Sequence, residues 1–239
     1  MASEEDGGVS SVERRGTLEL LIPEARRCGW RVREGFLGCP STFFSPWGDA
    51  FTWPPHAHVR KSGIPSLLCD AKSLCAVPTL RPSQASRVGL PLCVKPDRGS
   101  LGIGFQRYED SVSLREVQAL PDSHWVVQPL LYGVEFRVSL CQNGAFASAM
   151  LIERDGHASR WRDVTQETSE LWLADLAPVV KYLAVPVIGV DILLVDDTFP
   201  NVIDVNTGPD IAIHLVTRTP RNMARSVLDS WVAMRSSTH

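Results

Sequence analysis

Two aspartates and an asparagine carry the most specific chemical signal in this chain. Asp204 and Asn206 stand two apart in the apolar run NVIDVN (201–206), and Asp191 lies inside VIGVDILLV (187–195). Side chains two apart on a strand share a face, and the two runs are close enough in sequence to pair as a hairpin, which brings Asp191 alongside. Three hard oxygen donors with few carboxylates suit Mg²⁺, which keeps several waters and takes its other ligands from substrate phosphates. A carboxylate inside an apolar run must be paired, metal-bound or neutralised. A structural ion pair at Asp191 is therefore the competing reading. A calcium loop is not indicated, because Asp196, Asp197 and Asp204 do not follow the twelve-residue ligand pattern.

A second set of residues suits a phosphate group. In CVKPDRGSLGIG (93–104), Lys95 ends a buried strand, and Gly99, Ser100, Gly102 and Gly104 follow it in a loop whose amides can approach an anion closely. It is not a Walker loop, since the lysine precedes the glycines and no G-K-[ST] ending occurs. A purely structural glycine hairpin is the alternative. In VVQPLLYGVEFRV (126–138), the extended segment Gln128, Pro129, Leu130 and Leu131 offers backbone groups to a flat base, and Glu135, after the turn at Gly133, offers a carboxylate to ribose hydroxyls. An ordinary edge strand with one exposed acid would read the same way.

The elements that must position these residues follow from periodicity and turn chemistry. Helical spacing marks 12–28, 111–120 (capped by Ser111 or Ser113), 168–184 and 221–234. Strands are expected from Trp30, and at 90–95, 105–108, 125–129, 135–141, 145–153, 187–195 and 201–206. Gln142-Asn143-Gly144 is a hairpin turn signal. Residues 38–82 are dense in Pro, Gly and aromatics and read as irregular with short elements, while 1–11 are small, acidic and read as a disordered tail. The class is α+β, mostly antiparallel, with helices on one side.

Composition bounds the partners. The 239 residues, 44% of them hydrophobic, can bury a substantial core. A net charge of −3 without basic runs gives no footprint for nucleic acid or an anionic membrane. No apolar stretch is long enough to span a bilayer, and MASEEDGG is acidic where a secretory signal would be basic, so the chain reads as cytoplasmic. Its six cysteines form no C-x-x-C pair and read as reduced and mostly buried. Four lysines accompany twenty arginines, so a lysine in a special position stands out.

Taken together, VKP with its glycines, G-V-E-F-R, G-V-D-I and V-I-D-V-N-T-G-P-D-I followed by His214 resemble, in order and spacing, the ATP-grasp superfamily. The end of the chain resembles its cyanophycin synthetase-like and D-alanine-D-alanine ligase-like branches. The resemblance covers 83–235 well and 12–82 poorly. It implies two α+β subdomains gripping a nucleotide, at 83–131 and 132–239, behind a shortened N-terminal region at 12–82. It further implies Lys95 on the α- and β-phosphates, Gly99 to Gly104 folded over them, Gln128 to Leu131 as the adenine hinge and Glu135 on the ribose. Asp191, Asp204 and Asn206 would hold Mg²⁺, and Arg137 would lie beside the transferred phosphate. One of Arg154, Arg160 and Arg162 would supply a cation at the γ-phosphate. Arg137, Arg154 and Asn206 thus form the implied catalytic set. The implied activity joins a small-molecule or peptide carboxylate to an amine through an acyl phosphate, with ATP as the consumed nucleotide and Mg²⁺ as its metal. A degenerate domain that binds nucleotide or a partner without turnover is the alternative.

Three departures bear on that implication. The family usually has Glu where Asp204 stands and Gly where Asp210 stands. Its second nucleotide lysine has here only Lys61 and Lys72 as candidates, neither in a convincing helix. The short first region implies an acceptor site that is in part missing, supplied by a second subunit, as in a homodimer, or replaced by a partner protein.

Overall fold

The computed structural model describes residues 16–35, 40–55, 59–98, 104–110, 113–141, 147–154, 159–166, 168–195, 199–211 and 222–236, with the backbone alone at 113, 147–154, 159–163, 199 and 235–236. The expected tail at 1–11, the turn at 142–144, the glycine loop at 99–103, Ser111, Asp196, Asp197 and His214 lie outside these residues.

Helix α1 (Thr17–Arg27) buries Thr17, Leu21 and Ala25, one residue per turn. Strands β1 (Arg31–Arg33), β2 (Ser41–Phe44) and β3 (Ala50–Trp53) form an antiparallel sheet in that order. The β2–β3 hairpin lies within the stretch expected to be irregular. Its turn holds Gly48 at φ +93°, with Gly48 N–H donating to Ser45 O and Ser45 N–H to Asp49 O. A 3-10 turn (Lys61–Gly63) runs into the short helix α2 (Ile64–Leu67), and β4 (Cys75–Ala76) follows.

A second sheet contains β5 (Leu92–Pro96), β6 (Gln106–Tyr108) and β7 (Trp125–Pro129), in the order β6-β5-β7. Leu92, Val94 and Val127 pack on Val117 of α3 (Ser113–Gln118) and on Ala85 of a 3-10 segment. That leaves Cys93 and Lys95 on the opposite face, by the strand's period of two.

The largest sheet has the order β10-β9-β8-β11-β12-β4. Its strands are β8 (Val134–Cys141), β9 (Ala147–Arg154), β10 (Ser159–Asp163), β11 (Val187–Val195) and β12 (Phe199–Asn206), all antiparallel to their neighbours except β4, which joins β12 in parallel. The expected strands from 135 onward are present, and β10 is an addition: SRWRD alternates too little to be read as a strand.

Helix α4 (Glu170–Leu183) lays Leu176, Val179 and Val180 on Val138, Leu140, Ile188, Val190 and Ile192 of this sheet. At one end of the other face, Cys141 and Val187 join a core of α1, α5 (Met223–Ser236) and the first sheet. The helices therefore lie on both sides, not one. The second layer closes around Trp231 of α5, whose ring lies 5.2 Å from Phe51, 5.4 Å from Phe43 and 6.2 Å from both Trp30 and Trp53. Cys93 and Cys141 are buried, with burial raising both thiols and pushing Cys141 up to about 12, whereas Cys69 and Cys75 are exposed, against the expectation of mostly buried thiols.

Truncation of Trp231 to Ala should cost about 3–5 kcal/mol of stability, because four aromatic neighbours cannot collapse into the space. A urea denaturation curve measures this; a loss under about 1 kcal/mol would mean the α5 layer is not part of the cooperative core.

Candidate functional site

The face of the large sheet not covered by α4 carries the candidate residues. Register places Arg137 on β8, Asp191 on β11 and Asp204 on β12 in one row, since Asp191 pairs with Arg137 on one side and Asp204 on the other. Asn206 lies opposite Gly189, two positions along, and Glu135 lies opposite Leu193. One irregularity makes this possible. Asp191 pairs with Asp204 but Ile192 pairs with Val202, so Ile203 is an extra residue in β12. Without that bulge, Asp204 would share the face of Val202, which is in the core; with it, Val202 and Val205 both face α4 and Asp204 faces away.

Each acid meets a cation. Arg137 donates from Nε to Asp191 Oδ1 and from Nη2 to Oδ2, the latter at 2.7 Å. Burial is the largest influence on Asp191 and pushes it up to about 6 despite Arg137, with Asp204 and Glu135 adding like-charge repulsion. Burial also works against the Arg137 charge, but Asp191 outweighs it and raises the guanidinium. The competing expectation for Asp191, an internal ion pair, is thus present in the structure. Lys61 Nζ lies 3.3 Å from Asp204 Oδ2, with the lysine side chain only 8% exposed. The other Asp204 oxygen accepts the N–H of Val205 at 3.0 Å.

Lys61 was one of two open lysine candidates, and the structure separates them. Lys72 is exposed, and its backbone N–H binds the Asp175 carboxylate on α4. Lys61 sits on the 3-10 turn ahead of Gly63-Ile64-Pro65, and its N–H donates to Asp97 O at 3.0 Å. The buried Asp97 carboxylate accepts from Ser62 N (2.9 Å), Ser62 Oγ (3.0 Å) and Arg81 Nη1 (3.0 Å). Burial opposes the Asp97 charge most, but Ser62 and Arg81 prevail and hold it below the usual carboxylate range. This network ties the Lys61 turn to the end of the strand that carries Lys95. Asp97 and Arg81 were not singled out from sequence; the available signal was a carboxylate two residues after Lys95, where a glycine hairpin needs none.

On the second sheet, Lys95 is half-buried, with Nζ 5.7 Å from the Phe105 ring centre. Gly104, at φ +80°, closes the hairpin so tightly that a Cβ would stand 2.9 Å from Pro96. Gly99, Ser100 and Gly102 lie outside the described residues. A cavity of about 550 Å³ opens beside the hairpin foot, lined by Arg60, Asp97, Arg98 and His124 among others. In the hinge, Gln128 is fully buried. Its Nε2 donates to Thr79 Oγ1, whose own proton goes to Val77 O, so the amide orientation is determined and Oε1 is left without a protein partner. The Leu130 N–H donates to Pro91 O, while Pro129 and Leu131 continue the hinge without a described side-chain bond. At Gly133 a Cβ would stand 2.1 Å from Leu194 O, so only glycine lets the hinge cross the end of β11.

These residues fit a metal shared with a ligand. Among the described residues, no group of three or more His, Cys, Asp or Glu gathers closely enough to hold an ion alone. Asp204 and Asn206 on one face, with Asp191 beside them, would supply part of an oxygen shell. Phosphate oxygens would complete it. Arg154, Arg160 and Arg162 stand on β9 and β10, with Arg160 opposite Glu153 and Arg162 opposite Leu151. Their side chains are outside the described set.

Structural comparison decides the fold. The chain aligns with the ligase PsnB complexed with a minimal precursor at TM-score 0.57 and 18% identity, over 72% of this chain and 60% of that one. It aligns with VanG D-Ala:D-Ser ligase of Enterococcus faecalis at TM-score 0.55 and 15% identity, over 74% and 61%. The chain has the ATP-grasp fold. The macrocyclase MdnC of Microcystis aeruginosa, bound to precursor peptide MdnA, aligns at TM-score 0.63 and 10% identity over 90% of this chain and 95% of MdnC. The chain spans about 60% of the length of PsnB and VanG. No family model and no curated protein sequence matches it. Within this ATP-grasp frame, no helix among the described residues is long and apolar enough to cross a membrane.

Truncating Asp191 to Ala leaves the Arg137 guanidinium buried without its partner, and should destabilise the ligand-free protein by about 3–5 kcal/mol; an unchanged melting curve would show that Asp191 serves only ligands. The Asp97 carboxyl, depressed in the folded state, contributes stability that is present at neutral pH and lost as pH falls through its folded-state value, below the ordinary Asp value of about 3.9. Asp97→Asn should therefore be less stable than wild type at pH 7 by about 1–3 kcal/mol, with the gap closing as pH is lowered below about 4. Urea midpoints across that range measure it.

Proposed function

We propose that the chain is an ATP- and Mg²⁺-dependent carboxylate–amine ligase, forming an amide or peptide bond through an acyl phosphate and releasing ADP and phosphate. The observation that carries the proposal is the row Arg137, Asp191, Asp204 with Lys61 over it, on the open sheet face of an ATP-grasp fold. In this reading Lys95 and the glycines after it grip the phosphates, and Asp204 and Asn206, with Asp191, hold Mg²⁺. The metal would supply charge neutralisation on the β- and γ-phosphates. Arg137, oriented by both oxygens of Asp191, faces the transferred phosphoryl group, with Arg154 or a neighbour on β10 as a second cation. Glu135 meets the ribose. The backbone of Gln128 to Leu131 flanks the base.

Attack at the terminal phosphorus favours a nucleophile already ionised, because the two carboxylates of this row are engaged by Arg137 and Lys61 and not turned to an incoming hydroxyl. A carboxylate meets that condition, and an alcohol does not. PsnB and MdnC are complexed with precursor peptides and VanG joins D-Ala to D-Ser, which supports an amino acid or a peptide side chain as the acid. A cytoplasmic location and a homodimer that completes the acceptor site accompany this reading. The second reading, a nucleotide-binding or partner-binding domain without turnover, draws on the commitment of Asp191 and Asp204 to internal cations and on Asp210 in place of glycine.

Incubation with ATP, Mg²⁺, candidate amino acids or acidic peptides, and hydroxylamine should yield a hydroxamate in step with ADP. AMP release, or a phosphorylated alcohol stable to hydroxylamine, would overturn the ligase. ADP without hydroxamate would favour an idle ATPase, and no ADP at all would favour the second reading.

A further inference from the structure

We infer that Lys61 is a built-in counterion that keeps divalent metal off Asp204 until a nucleotide is present, so that metal and nucleotide enter this site together. The inference rests on the proposed reading of Asp204 as a metal ligand, and concerns what this chain adds to it.

Three observations carry it. The Lys61 ammonium lies 3.3 Å from Asp204 Oδ2, and both side chains are largely shielded, at 8% and 18% exposure. At that separation and depth an ammonium satisfies the charge that would otherwise attract a dication, and two cations cannot share one partly buried carboxylate oxygen without strong repulsion. The remaining oxygens of the row are also engaged, Asp204 Oδ1 by Val205 N–H and both Asp191 oxygens by Arg137. Every carboxylate oxygen of the two aspartates thus already has a donor or cation beside it, with which a hydrated ion arriving alone would have to compete.

The lysine is built to move at one end only. Its backbone is fixed by Asp97 O, and its neighbour Ser62 by the Asp97 carboxylate, which Arg81 holds in turn. The ammonium ends a flexible four-carbon stem. The Asp97 network also anchors the base of the stem to the end of the strand bearing Lys95, where the proposed phosphates lie. A polyphosphate there presents more negative charge than Asp204, so the ammonium turns to it and releases Asp204 Oδ2. The ion that neutralises the phosphates then finds its protein ligand. The exchange moves charges and breaks no covalent bond.

Mn²⁺ as the probe, counted by electron paramagnetic resonance of the free ion, tests this with and without ADP. Wild type should bind Mn²⁺ weakly alone and tightly with ADP. Lys61→Met should bind Mn²⁺ without nucleotide at least about tenfold more tightly than wild type, and Lys61→Arg, which keeps the charge, should not. Equal nucleotide-free affinity in wild type and Lys61→Met, with the ADP-dependent signal intact in wild type, would overturn the inference alone. No ADP-dependent Mn²⁺ binding in wild type would remove the proposed function beneath it. Should Lys61→Met fail to fold, the wild type itself decides: with four lysines in the chain, the Lys61 ammonium resonance can be assigned by nitrogen-15 NMR. Its shift on adding ADP supports the exchange, and an unmoved resonance overturns it.

Discussion

A carboxylate cannot be buried in an apolar sheet without a cation, and the arrangement of this molecule around β8, β11 and β12 answers that constraint twice. Asp191 lies between Val190 and Ile192, both fully buried, and Asp204 between Ile203 and Val205. Arg137 satisfies the first from the neighbouring strand, at the directly paired position, where the reach is short and the planar guanidinium can meet both oxygens. Lys61 satisfies the second from outside the sheet, which requires a separate segment to be held above it. The 3-10 turn is held there by Asp97, Ser62 and Arg81. The difference in kind matters: a bidentate pair within a sheet is rigid, while a single ammonium on a long stem can leave.

The same face depends on one extra residue. A strand's alternation would put Asp204 on the side of Val202, against α4, and a carboxylate there would have no cation within reach. The bulge at Ile203 turns the last three residues of β12 over, so that the valines on either side of it both pack into one core while Asp204 and Asn206 join Asp191. Gly189, opposite Asn206, accommodates the chain as it folds back, since a Cβ there would stand 2.5 Å from Pro209. Site and core are thus cut from the same three strands by a local break in period.

What could be read from the sequence was whatever repeats at a regular period or carries a turn signal. The strands from 125 to 206 other than β10, and the helices α4 and α5, were legible because VVQ, EFRVSLC, VIGVDILLV and the spacing of Met223, Val227 and Trp231 are regular. The adjacency of Asp191 and Asp204 followed from that. The bulge did not, because nothing in NVIDVN distinguishes a bulged strand from a straight one until its partner is known. The β2–β3 hairpin was hidden by its own turn residues, as Ser45-Pro46-Trp47-Gly48-Asp49 gives a loop signal long enough to swamp two four-residue strands. Lys61 was visible only as a candidate, since its role comes from a contact with a residue 143 positions later in the chain, and a short 3-10 turn has no periodicity to announce it. The glycine loop at 99–103 and the side chains of Arg154, Arg160 and Arg162 lie outside the described residues, so their roles stand as proposals.

Asp210 stands where the family usually has glycine, and its surroundings give it a use in the fold. Thr17, the first residue of α1, donates from Oγ1 to Pro209 O at 3.0 Å and to Asp210 Oδ1 at 3.3 Å, and accepts from Ile211 N at 3.0 Å. The N-cap of α1 is Gly16, which has no side chain to satisfy the free N–H groups of the first turn. A carboxylate at that end complements the helix dipole, so the charge of Asp210 is directed toward α1. The loop that follows Asn206 is thereby fastened to the first helix, and α1 is itself fastened through Leu21 and Ala25 to the aromatic core around Trp231. The residues at 12–82 thus serve the site in two ways: α1 fastens the loop that follows the strand end carrying Asp204 and Asn206, and Lys61 places a cation beside Asp204.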